Sequence, residues 1–429
     1  MVQKKLLPLT LGILAIVSIL YTVSYFYIYK PLDNRFSTFK TLPIINREKI
    51  SDGYTLISPY NRMLSDNPKL LSKIYLLDLL GNSVNTWSSK HQALYSILKP
   101  NGNLVVTMEI PKYSQFFPPG GNTGILQELD WDSKVVWEYK NERMHHDFVP
   151  LKNGNILVAL WEKTPDNIAQ NVVGGVPGSE LKGVMWSDEI AEINPKGEVV
   201  WSWHAYEHMD PEKDILGQLM PRYAWSFANG LAYSDTNPID GTPAILVSSR
   251  STNNVLMVRK SDGEIIWRSP KGMLSAQHDP TFLPNGNILV FDNGFDRIPN
   301  PFPLYGSRVL EIDPLKNEIV WKFDGGEGVI DKVRFFAPLV SGAQRLPNGN
   351  TLITDGPKGH IFETTNEGEI VWDFINPYTT NQTGHFPNNF IFKSKRYYAG
   401  DIEFPKEIRS PLNNSSYSLY KFLNKIYPE

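Results

Sequence analysis

Gln277-His278-Asp279-Pro280-Thr281-Phe282-Leu283-Pro284-Asn285-Gly286-Asn287-Ile288-Leu289-Val290-Phe291-Asp292 is the stretch that decides the fold. A β-rich run enters a Pro-Asn-Gly-Asn turn, and an apolar run leaves it. Asn-Gly between two such runs is a strong hairpin signal, with both central turn residues expected at positive φ. The turn recurs as Pro100-Asn101-Gly102-Asn103, Lys152-Asn153-Gly154-Asn155 and Pro347-Asn348-Gly349-Asn350, followed by LVV, ILVAL and TLIT. A second element alternates with it: a turn, containing Gly or Asn in five of the six copies, two β-branched or polar residues, then Trp. It ends at Trp87, Trp137, Trp201, Trp267, Trp321 and Trp372, spaced 50, 64, 66, 54 and 51 residues apart. Six copies of a unit this long match four-stranded blades, so the fold read from the sequence is all-β, a six-bladed β-propeller. Closing the ring removes the sheet edges that an isolated blade would expose. Each Trp is expected to pack between neighbouring blades and give its indole N–H to a carbonyl.

Composition narrows the function classes. The 429 residues carry 42 Lys and Arg against 45 Asp and Glu, a net charge of -3. Nucleic-acid binding through a strong positive field is thereby disfavoured. Cysteine is absent, which excludes disulfides, thiolate nucleophiles and Cys-ligated metal. Residues 6–29 contain no charge and are long enough to cross a hydrocarbon core of ~30 Å as a helix. They read as an uncleaved transmembrane signal anchor, with the C-terminal bulk exported to a periplasmic or extracellular space. The expected organisation is a stub and anchor over 1–30, a linker over 31–50, the propeller over 51–392 and a basic, aromatic tail over 393–429 that closes or packs on the ring. Asn381, Asn413 and Asn414 lie in Asn-x-Ser/Thr sequons, which matter only in a eukaryotic secretory route.

The repeat frame exposes residues that break it. Seven positions before the first Asn of the turn stand His146, within Met144-His145-His146-Asp147, and His278, within Gln277-His278-Asp279. The intervening blade lacks the turn but keeps the pattern as Trp225-Ser226-Phe227-Ala228-Asn229-Gly230, with Phe227 at the equivalent place and Arg250 at the end of its next strand. This position begins the innermost strand of a blade, so the two imidazoles are expected to converge at one mouth of the central channel. A metal there would need His146 and His278 with Asp147 or Asp279, and neither of these histidines stands in a His-x-His or His-x-x-x-His spacing. Imidazole beside guanidinium and amide donors suits sulfuryl or phosphoryl transfer: the imidazole as nucleophile or acid and base, the donors on the anion's oxygens.

At these residues the chain resembles the arylsulfate sulfotransferase family. The segments that carry the resemblance are HHDFVPLKNGNILVAL, SFANGLAYSD with ILVSSR, and QHDPTFLPNGNILVFDNG, within a likeness running from Gly53 to Phe392. The resemblance implies transfer of a sulfuryl group from an aryl sulfate to a phenol without a nucleotide donor or cofactor. It assigns His278 as the nucleophile that becomes sulfohistidine, and His146 as acid, base or transition-state donor, with His145 the alternative at that motif. Asn229 and Arg250 map to the sulfate clamp. Three features depart from the family: Phe227 replaces a His, residues 30–53 leave little room for the usual N-terminal β-sandwich, and no disulfide can form. Phe227 also motivates a reading from another class, a catalytically silent propeller that binds an anionic ligand or a partner protein. A quinone-cofactor dehydrogenase would share the repeated Trp but usually has eight blades.

Overall fold

A computed structural model describes residues 44–60, 71–110, 117–297, 306–326, 328–378 and 389–405. Strand β1 (Ile44–Ile45) precedes β2 (Tyr54–Ile57), β3 (Ser72–Leu77) and β4 (Ser83–Ser89) of blade one. Blade two holds β5 (Ala93–Leu98), β6 (Leu104–Glu109), β7 (Gly124–Leu129) and β8 (Val135–Lys140). Blade three holds β9 (Met144–Pro150), β10 (Ile156–Lys163), β12 (Trp186–Ile193) and β13 (Val199–His204), with short β11 (Gly174–Val176) in its β10–β12 loop. Strand β14 (Leu216–Pro221) pairs with β11 in parallel and leads to blade four: β15 (Ala228–Ser234), β16 (Ala244–Ser249), β17 (Asn254–Arg259) and β18 (Ile265–Arg268). Blade five holds β19 (His278–Phe282), β20 (Ile288–Asp292), β21 (Arg308–Asp313) and β22 (Glu318–Phe323). Blade six holds β23 (Gly342–Arg345), β24 (Thr351–Asp355), β25 (His360–Thr364) and β26 (Ile370–Ile375), and β27 (Lys395–Tyr397) ends the described chain.

The six antiparallel sheets bear out the propeller. Both ends of the described chain close it. Strand β27 pairs with β2 as the inner strand of blade one, and β1 pairs with β26 at the outer edge of blade six. The propeller thus reaches into the stretches read as linker and tail. The anchor read over 6–29 and the sequons at Asn381, Asn413 and Asn414 lie outside the described residues. Among the described residues no helix is long and apolar enough to cross a membrane.

The turn chemistry differs from expectation in one detail. Gly102, Gly154, Gly286 and Gly349 take φ of 81°, 88°, 86° and 90°, but the Asn before each stays at negative φ. A longer turn replaces the two-residue hairpin: Leu283 N–H bonds Asn287 O while Gly286 N–H returns to Leu283 O. The first Asn accepts the N–H two residues on, as Asn285 does from Asn287. The last Asn donates across to a glutamate on the third strand: Asn103 to Glu128, Asn155 to Glu192, Asn287 to Glu311 and Asn350 to Glu363. That second tie explains why the repeat reads Asn-Gly-Asn rather than Asn-Gly.

The tryptophans link each blade to the next. Trp87, Trp137, Trp321 and Trp372 donate to the carbonyls of Asp130, Pro195, Asn366 and Leu79, and Trp267 donates to the Asn317 side chain. In blade three the bond to Gly263 O comes from Trp203, not Trp201. Trp201 lies two residues earlier on the same strand, hence on the same face, and is covered by the Lys260 ammonium 4.2 Å from its ring. Second strands such as β10 are buried almost throughout because neighbouring blades cover both faces. Outer strands expose residues such as Val136, Val200 and Val320.

Candidate active site

The inner strands of blades three, four and five are each bulged near their first residues, where the register shifts between Val158 and Ala159, Ala228 and Leu231, and His278 and Thr281. Left-handed residues lie at or beside these bulges: His146 at φ 51°, Phe227 at 52° and Asp279 at 53°. Bulges re-aim side chains, and non-glycine residues at positive φ persist only where surroundings hold them. The repeat therefore departs from regular pairing where the sequence places its unusual residues.

His278 is buried. Its Nδ1 lies 2.7 Å from Asn293 Oδ1 and 3.2 Å from Ala276 O. Asn293 Nδ2 donates to Ala337 O at 2.7 Å and Val340 O at 2.9 Å, which fixes which end of the amide faces the ring. Both neighbours of Nδ1 are acceptors, so the proton sits there and the Nε2 lone pair is free. Burial, reinforced by the Arg250 charge, pushes this imidazole down to about 3, so it is neutral near pH 7.

His146 is also buried, and burial, with the Arg250 charge acting in the same direction, holds it well below the usual histidine range. Its Nδ1 lies 2.8 Å from His145 Nδ1. Gly121 passes so close that a Cβ there would stand 2.3 Å from His146 Nε2. His145 stacks on Trp161 at 4.0 Å and places Nε2 2.8 Å from Asp188 Oδ1, out of line with the ring N–H. The structure thus puts His145 behind His146, against Asp188 and Trp161.

Arg250 joins the two imidazoles electrostatically, since its charge depresses both. Its guanidinium lies 5.3 Å from the Phe227 ring and 5.9 Å from the Phe295 ring, with Met220 Sδ 3.4 Å from one nitrogen. No described carboxylate forms an ion pair with it. The Phe227 ring also meets His146 edge-on at 4.9 Å. Asn229 spends an amide N–H on Gln277 O at 2.9 Å, bracing the residue before His278, and its Oδ1 is buried without a partner.

Three participants escaped the sequence reading. Lys393 Nζ sits 2.9 Å from Asp147 Oδ2 and 2.8 Å from Asp279 Oδ1, the residues that follow the two histidines. Each Asp also takes a backbone N–H from the next blade, Leu231 for Asp147 and Ala343 for Asp279. Burial alone would lower the Lys393 ammonium, but the two carboxylates outweigh it and hold it well above the usual lysine range. Asn293 and Asp188 are the others. Asn293 had a readable signal: it stands fifteen residues after His278, as Trp161 stands after His146. Away from the axis, ligand atoms of Glu162, Glu189 and His204 fall within 4.8 Å of one another, but Arg143 holds Glu189 at 2.8 Å and His204 holds Glu162 at 2.8 Å. A cleft of about 470 Å³ between blades three and four is lined by Leu151 to Asn153, at the far end of the strand that carries His146.

The family model for arylsulfotransferase (ASST) matches residues 98–377, which include His145, His146, Phe227, Asn229, Arg250 and His278. The chain belongs to this family. Lys393 lies beyond the matched stretch. A Bacteroides caccae protein of unknown function is similar at 15% identity and a TM-score of 0.46, covering 80% of this chain and 98% of its own. A catalytically inactive virginiamycin B lyase from Staphylococcus aureus with quinupristin gives 14% identity and a TM-score of 0.37, over 74% and 85% of the two chains. No curated protein sequence matches.

Proposed function

We propose that this arylsulfotransferase family member moves a sulfuryl group from an aryl sulfate to a phenol through a sulfohistidine at His278. The observation that carries the reading is Arg250, a guanidinium held among Phe227, Phe295 and Met220 with no described carboxylate in ion-pair contact and only the longer-range pull of Asp296, beside two neutral imidazoles. A cation kept largely from water without a partner is costly, and an anionic ligand removes that cost. Sulfate esters supply the anion and offer oxygens to the planar fork.

In this mechanism the Nε2 lone pair of His278 attacks sulfur, with Asn293 and Ala276 O holding the proton on Nδ1. Burial keeps the imidazole unprotonated, which a nucleophile requires. Arg250 takes charge on the sulfuryl oxygens, and His146 exchanges the phenolic proton. Asn229 braces the Gln277-His278 segment. We further propose that residues 6–29 anchor the chain in a membrane with the propeller exported. The test is incubation with an aryl sulfate, followed by mass analysis for a sulfuryl group on the peptide containing His278 and by phenol-dependent turnover. Donor binding without label on His278 would favour the silent anion-binding propeller, for which Phe227 speaks.

A further inference from the structure

We propose that Asp188 and His145 are positioning residues that hold His146 with its proton on Nδ1 and its Nε2 lone pair free, making His146 the base for the acceptor phenol. The proposal rests on the sulfotransferase reading above. Asp188 is buried; its Oδ2 takes the Ser226 hydroxyl and the Ala228 N–H at 2.9 Å, leaving Oδ1 2.8 Å from His145 Nε2. A lone pair on Nε2 so close to a carboxylate oxygen would be repelled, so the His145 proton occupies Nε2 even without ideal alignment. With that proton on Nε2, the Nδ1 of His145 carries a lone pair and accepts. The 2.8 Å Nδ1–Nδ1 contact needs one proton, and only His146 can give it. His146 is left with a bare Nε2.

Among the described residues no other group stands against His146 Nδ1. Trp161 covers the flat face of His145, and the Phe227 ring edges His146. Arg250 and His278 are the other titratable groups that face His146. Asp147, the nearest carboxylate in sequence, is bound by Lys393. During sulfate discharge the phenol oxygen bonds sulfur as the S–N bond to His278 breaks. The bonding pair returns to His278 Nε2, and the phenol proton passes to His146 Nε2. In the loading that precedes it, His278 Nε2 attacks sulfur, the donor S–O bond breaks and its oxygen leaves with the pair as a phenolate; the proton that discharge puts on His146 Nε2 then passes to that phenolate or, by way of solvent, restores the bare Nε2. The cycle consumes no proton overall. The Asp188 charge, relayed through His145, stabilises the transient imidazolium.

Asp188→Asn tests this, because its amide can still accept from Ser226 and Ala228 while presenting N–H to His145. The His145 proton then moves to Nδ1, and the His146 proton to Nε2. In single-turnover experiments, loading of His278 from a nitrophenyl sulfate, whose leaving group needs no proton, is expected to stay within about tenfold of wild type. Discharge to phenol is expected to fall by about 10²- to 10⁴-fold, as when an orienting carboxylate is lost from a serine protease. The deficit should shrink as pH approaches the phenol's own pKa of about 10. Equal losses in both half-reactions, or an unchanged discharge rate, would overturn the proposal. Nitrogen NMR of His146 reads the tautomer without turnover: Nε2 should be unprotonated in wild type and protonated in Asp188→Asn. Failure to load His278 in wild type would sink the sulfotransferase reading, whereas a protonated Nε2 in wild type would sink this one. Should Asp188→Asn fail to fold, His145→Gln, which keeps an acceptor for His146 Nδ1, is expected to retain discharge within about tenfold while His145→Phe loses it.

Discussion

Lys393→Met removes the ammonium that, among the described residues, is ion-paired to Asp147 and Asp279, while keeping much of the apolar stem; the Lys395 charge acts on both from farther away. The pair is buried: the Lys393 side chain is 5% exposed, that of Asp147 1% and that of Asp279 14%. Breaking such a contact leaves uncompensated charge and costs about 3–5 kcal/mol. Here the loss has a definite pH dependence. Burial already raises Asp147 despite the lysine. Without Lys393, Asp147 is raised further, with the Asp279 carboxyl facing the same spot, so the folded variant binds a proton that the unfolded chain has released. A carboxyl raised in the folded state destabilises as pH rises above its unfolded value, and the penalty grows until the folded value is passed. Each unit of that interval is worth about 1.4 kcal/mol per carboxyl. Urea denaturation followed by tryptophan fluorescence at about pH 5 and about pH 8 measures it as a shift in midpoint at constant slope. The expected result is a deficit of about 3–5 kcal/mol near pH 8 that shrinks clearly near pH 5, and a partial recovery when Asp279→Asn is added. Asn can still accept the Ala343 N–H that Asp279 accepts at 3.0 Å. A deficit below about 1 kcal/mol at both pH values, or one equal at both, would refute the claim that this lysine carries the charge of the inner ring.

Gly121→Ala places a methyl carbon 2.3 Å from His146 Nε2, whereas Gly178→Ala, also at positive φ, meets nothing within 4 Å. Both variants pay the left-handed backbone cost of about 1–2 kcal/mol, and Gly121→Ala adds the overlap with a buried ring, so it should unfold at a lower midpoint than Gly178→Ala and, under conditions where both are folded, show at least a tenfold lower kcat/KM; similar activities would separate His146 from the reaction. Burial keeps His278 neutral in the fold down to about 3, so the unfolded chain gains a proton first as pH drops below about 6.5. Folding stability should therefore fall by about 1.4 kcal/mol per pH unit on this account between those values, and His278→Asn should flatten the stability–pH curve by that slope; parallel curves in urea titrations would contradict the buried, neutral imidazole.

The repeat was legible because its determinants are local. A glycine must take positive φ in each inner turn, an Asn must cap it, and a Trp must reach the turn of the next blade, and each need recurs at a fixed offset. The two histidines were legible for the same reason, since one offset from the turn puts a residue at the start of an inner strand. Trp201 shows where this reading stops. The offset selects it, yet Trp203 makes the bond to Gly263 because residues two apart share a face and the neighbouring blade decides which is used. Lys393 marks a harder limit. It lies 246 residues from Asp147 and 114 from Asp279, and a tail read as closing or packing on the ring does not say which of its basic residues meets the inner carboxylates.

Phe227 is the position where sequence and structure together say more than either alone. In the sequence it is a loss, an aromatic ring where the family carries an imidazole. In the structure the ring edge packs on His146 at 4.9 Å and its π system lies 5.3 Å from Arg250. An imidazole there would offer Arg250 a hydrogen-bond acceptor and His146 a competing proton partner. A phenyl ring offers neither, so the guanidinium keeps its fork of donors for an incoming anion, and proton exchange at His146 Nδ1 is left to His145. The substitution removes one acid–base group and narrows the chemistry of the others, so its effect should fall on the half-reaction that needs a proton moved rather than on the seating of the sulfate.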